Sequence, residues 1–440
     1  MTRLRTFALA AVVLAGCGSS TLTNVSTGST SSGATGTASS SSTTGGSSGT
    51  SSSSSASSSS GTSSSGSSTS SSSGGSSGGD VDAGCRAPSD PDATRAVVVS
   101  HPYSADGGDS NLYEVLSLTS SGTLTHTGVT FSMRESGEGV IAFTPDGKLG
   151  FAPQDDGSVG VFQMLDDGGV LVLNDGLTGP YASHVIMAAD GMRAYVLYGD
   201  TLSNNGGVYG VDIACDGTLG TPTSLGTFNT PDAMAFLHAS PTQALVATGD
   251  STGSTPTDDL FLSDFASTTP ASLGSTIVFD GGAIPSDMAV TEDDAYALIA
   301  DDGLFAGNRV CVAKIGPSGL APVAVMPTLN PAGVVTSPFN NAALVLNSDG
   351  TDGLTIFKYD PTSSATPFTD EGHITYVGAA PQLPTEAVVI RRGALRGRVL
   401  IGELSGVRQV QFLEDGGAQD FSIDNLDGIE DIVGSMGVQP

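Results

Sequence analysis

The residues best placed to do chemistry in this 440-residue chain are carboxylates that recur at a regular spacing. One series is Asp155, Asp200, Asp250, Asp301, Asp349 and Glu403; a second is Glu138, Asp232, Asp287, Glu386 and Asp431, with His184 in that place in one unit. Carboxylates gathered around a cleft add their negative potentials and attract Ca2+ or a cationic ligand. Asp200, Asp250, Asp287 and Asp301 are the ligands expected for such an ion. Asp is equally a favoured turn residue, and with a net charge of −30 the chain is acidic throughout, so a plain turn role accounts for the same residues. The same charge argues against nucleic acid as a partner. No other cofactor is indicated.

Other chemical signatures are incomplete. Gly249 to Gly253 fits the nucleophile-elbow pattern around Ser251, but that pattern needs a following helix and Thr255-Pro256-Thr257-Asp258-Asp259 follows instead. Asp80 to Asp82 and Asp424 to Glu430 lack the spacing of an EF-hand loop. His101, His126, His238 and His373 are scattered without metal-ligand spacing and read as surface or lining residues. Of the 4 cysteines, Cys311 lies within a strand pattern, and Cys85 with Cys215 forms the expected pair.

The elements that must position these residues are short strands on a period of about fifty residues, the mark of propeller blades. Opening strands recur at Glu138 to Phe143, Ser183 to Met187, Pro231 to Phe236, Pro285 to Val290, Pro331 to Thr336 and Pro384 to Val389, each followed by a second, third and fourth strand. Arg95 to His101, Tyr113 to Leu118 and Thr123 to Phe131 form three strands of a seventh unit. Gly428 to Val433 supplies its missing first strand, so the two chain ends close an all-β, seven-bladed β-propeller of four-stranded blades. Antiparallel order puts the start of strand one and the end of strand two on one face, with the acids. Lys148, Arg193, Arg391, Arg392 and Arg396 fall on the other, which predicts an electrically polar disk.

Ahead of the propeller, Arg3 and Arg5, an apolar run from Phe7 to Leu14, and Leu14-Ala15-Gly16-Cys17 read as a secretory signal over residues 1–16. The Leu-Ala-Gly-Cys ending resembles the lipobox of bacterial lipoproteins, which makes Cys17 the lipidated residue and implies an outer-membrane or cell-surface location. Residues 17–84 are nearly all Ser, Thr and Gly, a disordered, low-complexity tether with a typical reach of about 45 Å. The propeller occupies 85–440 and is expected to be monomeric.

The period, the end-to-end closure and Thr144-Pro145-Asp146-Gly147 resemble the lactonase-type seven-bladed propellers, which include 6-phosphogluconolactonase-like proteins. Gly179-Pro180-Tyr181-Ala182-Ser183-His184 is similar to that family's Pro-His-x-His segment, with only the second histidine kept. The resemblance implies that lactone hydrolysis would be sought at His184 with Arg134, Asp232 and Glu386. Two functions stand at this point. The simpler is a non-enzymatic binding module for a protein, glycan, small molecule or cation; the alternative is a lactone hydrolase.

Overall fold

The computed structural model describes residues 86–103, 109–137, 139–177, 182–200, 205–249, 259–267, 269–277, 279, 284–301, 308–348, 353–376, 381–404, 406–422 and 432–440. The signal and tether expectations, Cys17 and Cys85 lie outside them. Among the described residues no helix is long and apolar enough to cross a membrane.

The strands form seven antiparallel sheets. From the ring centre outwards, blade 3 is Ala182–Met187, Arg193–Asp200, Asn205–Asp212 and Thr223–Phe228. Blade 5 is Pro285–Val290, Tyr296–Asp301, Arg309–Gly316 and Gly319–Pro327. Blades 4, 6 and 7 begin at Pro231–Phe236, Pro331–Thr336 and Glu386–Val389, and blade 2 has its second to fourth strands at Leu149–Pro153, Val159–Met164 and Val170–Leu177. Inner strands of successive blades pack side by side around the whole ring.

Alternation of side chains along each strand explains why sheets rather than helices pack here. In blade 5, Ala297 and Ile299 join a core shared with blade 4. Their neighbours Tyr296, Leu298 and Ala300 join a core shared with blade 6. Every interface between successive blades holds one such apolar cluster. Each fully buried Leu or Ile contributes roughly 1.5–3 kcal/mol, so the fold rests on these seven layers rather than on one central core.

Both chain ends build blade 1, but the closing strand is Ser435–Val438, not Gly428 to Val433 as the apolar pattern predicts. It pairs Val97 with Val438 and Val99 with Met436, alongside Arg95–Tyr103, Asp109–Leu118 and Leu124–Ser132. The reason is steric. The closing strand runs against the chain at Ile141, where a Cβ on residue 437 would stand 2.3 Å from the Ile141 carbonyl, so a glycine-bearing strand fits. Ile432 and Val433 are buried in the connection instead. The Gln439 side chain completes the clasp, accepting from the Ala96 N–H at 2.9 Å and donating to the Gly147 carbonyl at 2.7 Å.

The opening strand of blade 2 is also split. Gly139–Val140 pairs in parallel with the closing strand, the Ile141 N–H donates to the Met436 carbonyl at 2.9 Å, and Ala142–Phe143 returns to blade 2.

Candidate functional site

At the mouth, the end where inner strands begin, each inner strand of blades 3 to 6 carries a one-residue bulge: Ser183, Asp232, Ser286 and Ala332. The bulge re-aims the next side chain. Bulge hydroxyls also tie blades together, since Ser286 donates to the Pro331 carbonyl at 2.9 Å and Thr385, its counterpart in blade 7, to the Val433 carbonyl at 2.6 Å.

The residue after the bulge therefore occupies one equivalent slot in successive blades. It is His184 opposite Leu197, Ala233 opposite Ala247, Asp287 opposite Ala300, Gly333 opposite Leu346 and Glu386 opposite Gly402. Ionisable groups thus alternate with small, buried residues, Ala233 and Gly333, from blade 3 to blade 7. His184 and Asp287 are half-buried, and Glu386 is buried.

Asp287 is the best defined of the three. Its Oδ2 accepts the Val334 N–H of blade 6 at 2.9 Å and its Oδ1 accepts the Met288 N–H at 2.7 Å. Burial penalises the charged form and pushes the carboxyl up to about 6, although those two N–H donors pull the other way. A Cβ at Gly333 would lie 3.4 Å from Asp287 Oδ2, so the glycine packs directly beside the acid. Glu386 accepts the Ala387 N–H at 3.2 Å.

The other expected site residues fall elsewhere. Asp232 sits in the bulge itself, one residue before the slot. Arg134 is at the same end but at the rim, half-exposed, paired with Asp156 at 3.2 Å and packed beside Gly176 of the outer strand of blade 2.

Of the expected Ca2+ ligands, Asp250 and the side chain of Asp200 lie outside the described residues, and Asp301 is committed to the scaffold. It accepts the Ile284 N–H at 3.0 Å and pairs with Arg309 at 2.8 Å. Glu403 repeats the device in blade 7, accepting the Gln382 N–H at 3.0 Å and binding Arg408 at 3.1 Å. Gln154 does so in blade 2 by accepting the Glu135 N–H at 3.0 Å. Asp301 and Glu403, with Gln154 in the equivalent place, therefore fasten the chain entering their own blades. Among the described residues no group of three His, Cys, Asp or Glu is arranged to hold a metal ion.

At the base, the opposite end, three of the cations have local acids. Arg86 pairs with Asp146 and Arg193 with Asp212. Arg391 of blade 7 passes Thr336 of blade 6 at 3.3 Å to reach Glu292 of blade 5 at 2.6 Å, a strut along the inner rim that His238 extends to Glu292 and Asp294. Two scattered histidines are also brought together: His101 and His126 both contact the Glu114 carboxylate. Burial alone would raise that carboxyl, but the hydrogen bonds from the two histidines outweigh it and hold Glu114 below its usual range.

Cys215 is disulfide-bonded, whereas Cys311 is a buried free thiol whose pKa burial pushes up to about 12. Arg86, next to Cys85 in the chain, donates to the carbonyl of Ala214 at 2.7 Å.

No protein-family model matches the chain, and no curated protein sequence matches it. Solved structures do. The periplasmic gluconolactonase PpgL of Pseudomonas aeruginosa superposes with a TM-score of 0.57 at 14% identity, over 74% of this chain and 94% of that one. A putative 6-phosphogluconolactonase of Bacteroides uniformis gives 0.55 at 14%, over 79% and 99%. Another from Bacteroides fragilis gives 0.55 at 14%, over 80% and 99%. The fold is that of the lactonase-type seven-bladed propellers. Hydrazine synthase of Kuenenia stuttgartiensis, at 0.51 and 14% over 71% and 90%, shares it too, which shows how little the fold alone says about chemistry.

Proposed function

We propose that the mouth hydrolyses a lactone, with Asp287 as the proton-transferring group and His184 and Glu386 as the side chains that orient the substrate. The observation that carries this is the slot pattern, which sets Asp287, with a pKa of about 6, on the innermost strands between the small residues Ala233 and Gly333 of the neighbouring blades. At neutral pH the Asp287 carboxylate takes a proton from water as its oxygen bonds to the lactone carbonyl carbon. Collapse then breaks the ring C–O bond, and the same proton passes to the leaving alkoxide, giving the hydroxy acid. A raised carboxyl suits this task because its pKa lies near the working pH.

A second reading is binding without turnover. Arg134, which the family resemblance puts at the hydrolytic site, is paired with Asp156 at the rim instead, which favours that alternative. Initial rates with glucono-1,5-lactone, measured above spontaneous hydrolysis for the native protein and Asp287→Asn, decide between them. Turnover lost in the variant supports catalysis; no turnover by either supports binding alone.

We also place the protein outside the cytoplasm, held by lipid on Cys17. A disulfide at Cys215 suits an oxidising compartment. Labelling of cells with a radioactive fatty acid should mark the native chain and not Cys17→Ser.

A further inference from the structure

Resting on the lactone reading, we infer that the mouth selects an uncharged lactone, rejects a phosphorylated one, and uses the same field to expel its anionic product. The basis is the distribution of cations. The chain has 15 Lys and Arg residues, and apart from Arg3 and Arg5 every one is described. Only Arg134, Arg309 and Arg408 lie at the mouth. Each is already engaged: Arg134 with Asp156 at 3.2 Å, Arg309 with Asp301 at 2.8 Å, and Arg408 with Glu403 at 3.1 Å and Asp420 at 2.8 Å. Arg309 and Arg408 are also buried, so neither can turn to a ligand without abandoning a buried acid.

The slot itself presents Asp287 and Glu386. A phosphate dianion needs Arg, Lys or converging N–H donors to replace its hydration, and here it meets carboxylates whose potentials add. An uncharged lactone pays no such penalty. Hydrolysis then converts it to a carboxylate, which the same potential repels, so the charge that excludes a phosphorylated substrate speeds product release.

The test compares glucono-1,5-lactone with 6-phosphoglucono-1,5-lactone on the full chain, at salt concentrations giving screening lengths of roughly 20 and 4 Å. At low salt, kcat/KM for the neutral lactone should exceed that for the phosphorylated one by about a hundredfold, and high salt should narrow the gap by about tenfold while leaving the neutral rate almost unchanged. Equal or faster turnover of the phosphorylated lactone overturns the charge inference and leaves the hydrolase reading intact.

If neither lactone is turned over, the hydrolase reading fails, and calorimetry with neutral gluconolactam and its 6-phosphate tests charge selection separately. Binding of the neutral compound alone supports it. Tighter or equal binding of the phosphate, or binding of neither, overturns it.

Discussion

Asp287 and Asp301 belong to the same blade, and Glu386 and Glu403 to another, yet the two acids of each pair have different surroundings. On the second strands, Asp301 and Glu403 are buried, bonded to an arginine and to the backbone entering their own blade. On the inner strands, Asp287 accepts the backbone N–H groups of Val334 and Met288, borders Gly333, and has no arginine partner among the described residues. A carboxylate neutralised by arginine becomes part of the framework. One that meets only amides in a partly desolvated slot keeps a proton available near neutral pH.

The most damaging test of this contrast is Arg408→Ala, which leaves Glu403 and Asp420 buried without their cation. Urea unfolding should show a loss of about 3–5 kcal/mol; a loss under about 1 kcal/mol would remove Glu403 from the framework. Asp287→Asn should instead leave the fold intact by circular dichroism while lowering kcat about 100-fold or more. A variant that unfolds at that position would erase the distinction between the two classes of acid.

A third test uses pH. The pKa of Asp287 is raised from an unfolded value near 3.8 to about 6, so over that interval the folded state holds a proton that the unfolded state has released. The contribution of Asp287 is therefore full below about pH 3.8 and is lost as pH rises through about 6, a change on the order of 3 kcal/mol. Subtracting the stability curve of Asp287→Asn from that of the native protein should reveal this downward slope. The smallest effect is expected from Arg134→Ala, which breaks an exposed ion pair at the rim: under about 1 kcal/mol in stability and no change in turnover beyond about twofold.

The blade architecture was legible because each interface repeats one apolar pattern, and opening strands such as Pro231–Phe236, Pro285–Val290 and Pro331–Thr336 lie where the sequence puts them. Ring closure was legible in kind but misplaced. Ile432 and Val433 carry the strand-like pattern, whereas the close approach at Ile141 admits the glycine-bearing Ser435–Val438. The slot can be seen by aligning Ser183-His184, Asp232-Ala233, Ser286-Asp287, Ala332-Gly333 and Thr385-Glu386.

What the alignment does not reveal is the environment of each acid. The Val334 N–H that meets Asp287 belongs to the next blade, and the Asp156 that holds Arg134 lies 22 residues on, in the turn between the second and third strands of blade 2. Those partners come from three-dimensional neighbours, so residue type and spacing made Asp287 look like a metal ligand, and the family resemblance made Arg134 look like a catalytic residue.

The most direct measurement is a carboxyl-carbon NMR titration of the native protein and Asp287→Asn. The native protein should show a resonance with its midpoint near pH 6 that is missing from the variant. If every native carboxyl has titrated by about pH 5, or if the near-neutral resonance persists after the substitution, Asp287 is not the proton-holding group of the mouth.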